Sequence, residues 1–197
     1  MCIRDRLAMG GTGTTGHTGI VRNPWNKDRM IGGSSAGSAA SVALGIVPFA
    51  IGSDTGDSIR KPAAYGGVVG YKPTYGRISR YGLFAFASSL DHLGVFARSV
   101  KDVSYVMDVV KGHDDKDMTS LPDEDVSYAS ELDNDVSGKK LFYIKEAIEI
   151  DNGNNELKEI ISNFKSVLEK CKELGMIVEE VSFDKESVSY THLTLPT

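Results

Sequence analysis

The sequence predicts an α/β fold with helices on the faces of a sheet. The clearest observation is the segment 141–181, in which residues 141–144 and 176–181 have the composition of strands. Between them, residues 154–174 carry apolar side chains at the spacing of one helical face, and Gly175 is placed to end the helix. A strand, a helix and a strand at this spacing form a βαβ unit, which favours a sheet covered by helices.

Two further helices are predicted in the first part of the chain. Residues 35–44 are mostly small, which suits a tightly packed helix, and Gly45 follows them. Ser99 is a good N-cap for a helix over residues 101–111, whose apolar side chains fall on one face, and Gly112 ends it.

Short apolar runs predict the remaining strands. Residues 46–51 form a continuous apolar run, typical of a strand covered on both faces, and residues 52–60 form a polar loop directly after it. Residues 67–71 predict another short strand, which Lys72-Pro73 stops. The acidic residues 112–138 predict an irregular surface segment.

The composition indicates one domain with a hydrophobic core: 197 residues, 41% hydrophobic and 25% charged. A net charge of −5 does not indicate a surface for nucleic acid. Cys2 and Cys171 are too few and too far apart for a disulfide framework or a metal site, and Cys171 is expected to be a buried thiol. No bilayer-spanning run or secretory signal is visible, so a reducing cytoplasm is the expected location.

Both ends of the sequence differ from what lies beside them. Residues 1–6 and 189–197 share no periodicity with their neighbours, and we predict that they are non-native ends. The open reading frame is therefore expected to be cut at both sides.

Two glycine motifs lack the context that their usual chemistry needs. Residues 11–16 match the dinucleotide pattern G-x-G-x-x-G, but no strand precedes them and no helix follows. Residues 33–37 match G-x-S-x-G around Ser35, but residues 26–30 are not a strand, which a nucleophile elbow needs. An esterase that uses Ser35 stays an alternative, with a histidine partner among His17, His92, His113 and His192.

A third constellation joins two loops rich in glycine and serine, residues 32–38 and 52–60, with Ser34 and Ser58 24 positions apart. A serine hydroxyl needs a base to become a nucleophile, and consecutive backbone N–H groups can hold an oxyanion. The second loop offers both a nucleophile and such a cradle. The alternative is a pair of turns whose hydroxyls only cap the backbone.

The two loops, their separation and the following Lys72-Pro73-Thr74 resemble the signature region of the amidase-signature family. The resemblance implies an α/β/α fold with a central mixed sheet, incomplete at both ends, over residues 7–185. It implies a serine–cis-serine–lysine triad, in which Ser58 is the acyl-forming nucleophile and Ser34 the cis-peptide serine that relays the proton. It places the oxyanion hole at four backbone N–H groups, those of Thr55, Gly56, Asp57 and Ser58.

Residues 72–83 and 85–91 resemble, within that family, the A subunits of glutamine-dependent tRNA amidotransferases. The resemblance implies that this subunit hydrolyses glutamine and passes the ammonia to B and C subunits, which convert Glu-tRNA(Gln) to Gln-tRNA(Gln) or Asp-tRNA(Asn) to Asn-tRNA(Asn). ATP and Mg²⁺ are expected in the partner subunit, and no metal, cofactor or membrane is implied here. The alternative is another amidase of the family that acts on a small amide.

The sequence departs from the family at two positions. The triad lysine belongs to an upstream segment, and none of Lys27, Lys61 and Lys72 matches its motif, so the 197 residues alone are expected to be inactive. Asp57 stands where the family usually has glycine. A carboxylate there opposes a developing oxyanion, so we expect Asp57 to point away or to pair with Arg60 or Lys61.

Three more residues are predicted to support the site. Asp54 and Arg60 flank the second loop and are expected to form a buried ion pair beneath it, because a buried charge needs a partner. Ser35 is expected to cap the helix that follows, with membership of the serine network as the alternative. A further hypothesis is that the chain as written folds poorly and does nothing.

Overall fold

The computed structural model describes residues 10–14, 16, 19–122, 126–149 and 154–182. It has the mixed α/β architecture that the sequence predicts. The chain divides into two compact units, Met1–Asp133 and Asn134–Thr197, which are described separately. The predicted non-native ends, 1–6 and 189–197, lie outside the described residues.

The first unit contains a three-stranded antiparallel sheet. Its strands are β1, Phe49–Asp54, β2, Val69–Tyr71, and β3, His92–Ala97, in the order β1-β3-β2. In this register Asp54 lies opposite His92, so the carboxyl end of β1 meets the start of β3. The predicted second strand is confirmed as β2, whereas β3 was not predicted.

The predicted strand over residues 46–51 is displaced along the chain. β1 begins at Phe49 and continues through Gly52 to Asp54, residues that were expected in a loop. The expectation that it is covered on both faces is wrong: Phe49 is 45% exposed, and only Asp54 is fully buried. β1 lies at an edge of its sheet, and its pairing with β3 holds residues 52–54 in the extended form.

Three helices accompany this sheet: α1, Ala36–Ala43, α2, Arg60–Gly66, and α3, Val100–Val110. α1 and α3 confirm the predicted helices, and the Ser99 hydroxyl accepts a hydrogen bond from the N–H of Asp102 as an N-cap should. α2 was not predicted because its sequence contains proline and glycine. Pro62 lies in its first turn, where a missing N–H costs no intrahelical bond.

The core lies on both faces of the central strand β3. Successive side chains of a strand point to opposite faces. Phe96 packs in a cluster with residues of α1 and α2, and its neighbours Val95 and Ala97 pack with Val103 and Met107 of α3. The first unit is therefore layered as helix, sheet and helix.

The second unit is the predicted βαβ segment. β4, Lys140–Ile144, runs parallel to β5, Ile177–Val181, and α4, Asn155–Glu173, connects them. The Asn154 side chain caps α4, and Gly175 after its end has a φ of 82°. Cys171 is half-buried, so the expectation of a fully buried thiol is wrong.

Candidate active site

Ser34 lies in a buried turn immediately before α1. We call residues 32–35 the relay loop, after the role predicted for Ser34. The peptide bond between Gly33 and Ser34 is cis, as the family resemblance implies. Ser34 is 3% exposed, and within the described part of the chain its Oγ has no hydrogen-bond partner. Buried polar groups are nearly always hydrogen-bonded, so an unpartnered hydroxyl calls for a functional explanation.

We call residues 55–58 the nucleophile loop, after the role predicted for Ser58. A direct hydrogen bond joins the relay loop to it. The N–H of Ser35 donates to the carbonyl oxygen of Ser58 at 3.2 Å. The structure therefore brings together the two loops whose serines lie 24 positions apart in the sequence.

Ser35 does not cap α1 with its side chain, so the capping prediction is wrong. Its hydroxyl instead donates to the Ser53 carbonyl at 3.1 Å and accepts from the Ser53 N–H at 3.2 Å. A Cβ added at Gly52 would lie 2.6 Å from the Ser35 Oγ, so the relay loop approaches β1 as closely as glycine permits. The Ser35 hydroxyl therefore links the relay loop to the backbone of β1.

Asp54 closes the nucleophile loop from below. It is fully buried, and its Oδ2 accepts a hydrogen bond from the N–H of Ile59 at 2.8 Å, which spans residues 55–58. Its Oδ1 accepts from the Lys72 ammonium at 2.8 Å. The Asp54 carboxylate thus fixes the C-terminal end of the nucleophile loop and is paired with the Lys72 ammonium.

The predicted Asp54–Arg60 ion pair is only partly present. Arg60 Nε lies 3.8 Å from Asp54 Oδ2, but the Arg60 side chain is 58% exposed and its guanidinium donates to the Gly56 carbonyl oxygen. Lys72 is the more buried partner: it directly follows β2 and its side chain is 16% exposed, whereas Arg60 starts α2 at the surface. Sequence reasoning missed this role of Lys72.

Asp57 points outward and is paired. Its carboxylate lies 2.7 Å from the Lys61 ammonium, one turn further along, and the Asp57 side chain is 54% exposed. This is one of the arrangements expected for a carboxylate in this loop. The pairing partly neutralises the charge that stands beside the predicted oxyanion hole.

Thr55 begins the nucleophile loop, and its hydroxyl donates a hydrogen bond to the buried carboxylate of Asp91. Sequence reasoning gave Asp91 no role in the site. The available signal was its place in the stretch 85–91 that carries the resemblance, but Asp91 directly precedes β3, a strand that the sequence did not predict.

The two motifs without context have structural roles. Residues 11–13 form a turn, and a Cβ on Gly33 would lie 2.3 Å from the Gly10 carbonyl oxygen, so this glycine segment packs against the relay loop. No strand leads into Ser35, which has bends on its N-terminal side. The bends before Ser35 contradict the nucleophile elbow, and the packing against the relay loop gives the G-x-G-x-x-G segment a structural role.

The two histidines that the structure describes contact residues other than Ser35. His92 Nδ1 lies 2.6 Å from the Leu90 carbonyl oxygen and its ring packs against Tyr75. His113 contacts Ser120 and Asp115. His17 and His192 lie outside the described residues.

A cavity of about 170 Å³ lies next to this region, but none of residues 34, 35 and 54–58 lines it. We assign it no part in the chemistry. Its lining residues are Arg80, Tyr81, Leu83, Ala85, Ser88, Asp91, Lys116 and Asp117.

Within the described ranges, no group of three or more His, Cys, Asp or Glu side chains is arranged to hold a metal ion. No helix in that part of the chain is both long enough and apolar enough to cross a membrane.

Comparison with known proteins defines the class of protein. The family model described as Amidase matches residues 4–195, and the chain therefore belongs to the amidase-signature family. It is 49% identical over 178 residues to the A subunit of the glutamyl-tRNA(Gln) amidotransferase of Staphylococcus aureus (strain MRSA252), a match that covers 90% of this chain and 36% of the relative. The chain spans about a third of the length of the curated relatives it matches.

Solved structures show the same fold. The A subunit of the glutamyl-tRNA(Gln) amidotransferase of Thermotoga maritima superimposes with a TM-score of 0.83 and 44% identity, over 91% of this chain and 38% of that one. A bacterial aryl acylamidase of the amidase-signature enzymes superimposes with a TM-score of 0.73 and 34% identity, over 88% of this chain and 35% of that one.

Proposed function

We propose that this chain forms the serine-bearing part of the active site of a glutamine amidase, the ammonia-generating subunit of a tRNA-dependent amidotransferase. Ser58 is the nucleophile and Ser34 the proton relay. The observation that carries the proposal is the buried, unpartnered Ser34 hydroxyl in a loop hydrogen-bonded to the backbone of Ser58. Because no other contact occupies the Ser34 hydroxyl, it can accept a proton from Ser58 and donate one to the triad lysine in the proposed mechanism.

The proposed reaction begins with proton transfer. A neutral lysine amine, the third member of the proposed triad, takes the proton of Ser34, and Ser34 takes the proton of Ser58. The Ser58 oxygen bonds to the side-chain amide carbon of glutamine. The backbone N–H groups of Thr55, Gly56, Asp57 and Ser58 hold the resulting oxyanion, and one such donor is worth about 3–4 kcal/mol of barrier.

The tetrahedral intermediate then collapses. The C–N bond breaks, the proton returns through Ser34 to the leaving nitrogen, and ammonia departs. Water attacks the acyl ester at Ser58 and its proton passes through Ser34 to the Ser58 oxygen. The ester C–O bond breaks, which releases glutamate and restores the free serine. Asp54, with Ile59 and Lys72, supports this chemistry by keeping the nucleophile loop in one shape.

The proposed destination of the ammonia is a partner subunit. B and C subunits would use it, with ATP and Mg²⁺ bound by the partner, to convert Glu-tRNA(Gln) to Gln-tRNA(Gln) in the cytoplasm. The names and identities of the Staphylococcus aureus and Thermotoga maritima relatives support this part of the proposal. The competing function is hydrolysis of a small amide without tRNA, which the aryl acylamidase at 34% identity supports.

A chimera tests the proposal. In this chimera, the matched part of this chain replaces the matched part of the Thermotoga maritima relative, and residues keep the numbers used here. We expect ammonia release from glutamine, rising when the other subunits of that amidotransferase are added. Activity on an aryl amide without any response to glutamine or to the other subunits would favour the competing function.

Trapping of the nucleophile gives a second, independent readout. A fluorophosphonate probe should form an adduct on Ser58, located by peptide mass spectrometry, and no adduct in the Ser58→Ala chimera. An adduct on another serine contradicts the assignment of the nucleophile. The 197 residues alone should release no ammonia, since they supply no triad lysine in the proposed mechanism.

A further inference from the structure

We propose that Asp91 is a positioning residue that holds the nucleophile loop in its active shape through the hydroxyl of Thr55. The inference rests on the proposed function, because it assigns Asp91 to the support of the proposed oxyanion hole. Asp91 is not proposed to contact the Ser58 oxygen or the substrate. It acts through Thr55, whose N–H group is the first of the proposed oxyanion donors.

The sheet register brings the two residues together. Asp54, the last residue of β1, pairs with His92, the first residue of β3. In an antiparallel pair the next positions outward also face each other, which places Thr55 opposite Asp91. The Thr55 Oγ1 donates to Asp91 Oδ1 at 2.5 Å.

Asp91 is itself held in place from its other side. Its Oδ2 accepts hydrogen bonds from the N–H groups of Phe86 at 2.9 Å and Ala87 at 3.0 Å. Its own N–H donates to the Ala87 carbonyl at 2.9 Å. Asp91 is only 3% exposed, and a carboxylate removed from water is stable only with such partners.

Two buried carboxylates therefore bracket the nucleophile loop. Asp91 holds Thr55 at its start, and Asp54 holds the N–H of Ile59 immediately after its end. Thr55 uses its hydroxyl for this contact, which leaves its backbone N–H available to the oxyanion. Oxyanion donors work only when they are held toward the developing charge, so loosening one end of the loop should slow the chemical step.

Thr55→Val in the chimera is the most selective test, because it removes the hydroxyl and keeps the size and the backbone N–H. We expect kcat for glutamine hydrolysis to fall on the order of tenfold, less than when a donor is removed outright, with KM within about twofold. The rate of fluorophosphonate labelling at Ser58 should fall in parallel. Asp91→Asn should give the same pattern, since one carboxylate oxygen becomes an N–H donor facing other donors.

Asp117→Asn is the matched control. Asp117 is also buried and also accepts from a threonine hydroxyl, that of Thr119 at 2.6 Å, and from the backbone N–H of Arg80 at 2.7 Å. It does not contact the nucleophile loop. Its replacement should lower thermal stability and leave kcat per folded molecule unchanged, whereas Thr55→Ser, which keeps the hydroxyl, should restore most of the activity lost in Thr55→Val.

The inference is overturned if Thr55→Val retains the parent kcat and labelling rate, or if Asp91→Asn changes activity only in proportion to lost folded protein, as the control does. Failure of the proposed function has a different signature. In that case the parent chimera itself releases no ammonia or Ser58 is not labelled, whatever residue stands at position 91. Thr55→Val decides the matter if Asp91→Asn does not fold.

Discussion

The relay and nucleophile loops and the βαβ unit are built on different physical grounds. In residues 140–181 the order of strand, helix and strand follows from the spacing of apolar side chains, and each predicted element lies within about two residues of the observed one. In residues 31–60 the structure depends on contacts between distant positions: Ser35 with Ser53 and Ser58, and Asp54 with Lys72. Periodicity predicts the first region, whereas only tertiary contacts define the second.

The same contrast appears in the charges. The ion pairs of the βαβ unit are exposed, such as Lys170 with Glu173 on α4. The pair beneath the nucleophile loop, Lys72 with Asp54, is largely withdrawn from water. Mutations of charged residues should therefore have small effects on stability in the βαβ unit and large effects around the nucleophile loop.

The largest difference is expected for serines. Ser58→Ala in the chimera should abolish ammonia release and fluorophosphonate labelling, because the proposed acyl ester forms on this oxygen. Ser166→Ala on α4 is the control, since its hydroxyl only donates to the Ser162 carbonyl of the same helix. Equal activity of the Ser58→Ala and Ser166→Ala variants would contradict the proposed catalytic role of Ser58.

Replacement of lysines tests the electrostatic side. Lys72→Met leaves the fully buried Asp54 carboxylate with the exposed Arg60 guanidinium, 3.8 Å away, as its remaining charged partner. Loss of one member of a buried pair typically costs about 3–5 kcal/mol of unfolding free energy. Lys170→Met should cause no measurable change. Denaturant unfolding of both chimeras measures the difference, and similar midpoints would show that the Asp54 pair carries no special weight.

Close packing around the relay loop is tested by Gly52→Ala. The added Cβ would lie 2.6 Å from Phe96 Cε2 and from Ser35 Oγ, and such overpacking costs about 1–3 kcal/mol. At Gly56, by contrast, a Cβ would meet nothing within 4 Å, so Gly56→Ala should leave the unfolding midpoint unchanged. A Gly52→Ala chimera as stable as the parent would mean that β1 and the relay loop separate easily.

The smallest expected effect is an acid dependence of stability in the first unit. Burial raises the pKa of Asp108, but hydrogen bonds from the Ser127 hydroxyl, the Ala129 and Tyr128 N–H groups and Lys111 outweigh it and lower the pKa to about 2. Because the folded pKa lies below the unfolded value, the stabilisation is present above about pH 4 and is lost as pH falls through 2.

Asp108→Asn should remove this contribution, which is on the order of 1 kcal/mol at neutral pH because water screens a carboxylate so close to the surface. Unfolding midpoints measured between pH 2 and pH 7 should fall less steeply for the variant than for the parent. Parallel curves would contradict the lowered pKa of Asp108.

Much of the fold could be predicted because helices and the βαβ unit carry local signals. Ser99 and Asn154 cap helices as their positions indicate, and Gly45 and Gly175 follow helix ends. β3 and α2 escaped prediction because Gly94 interrupts one apolar run and Pro62 lies in the other segment. β3 is held by β1 and β2 on its two sides, and α2 by the packing of Ala63 in the buried cluster around Phe96.

For the candidate site, the sequence predicted the two loops that the structure brings together, because glycine and serine clusters and the family resemblance depend on residue types alone. The partners of the individual side chains could not be predicted. Lys72 is the more buried partner of Asp54, the Ser35 hydroxyl bonds to β1 instead of capping α1, and Asp91 accepts a hydrogen bond from Thr55. These contacts join positions far apart in the chain, and their geometry is decided by sheet register and burial. Local propensity carries no information about either.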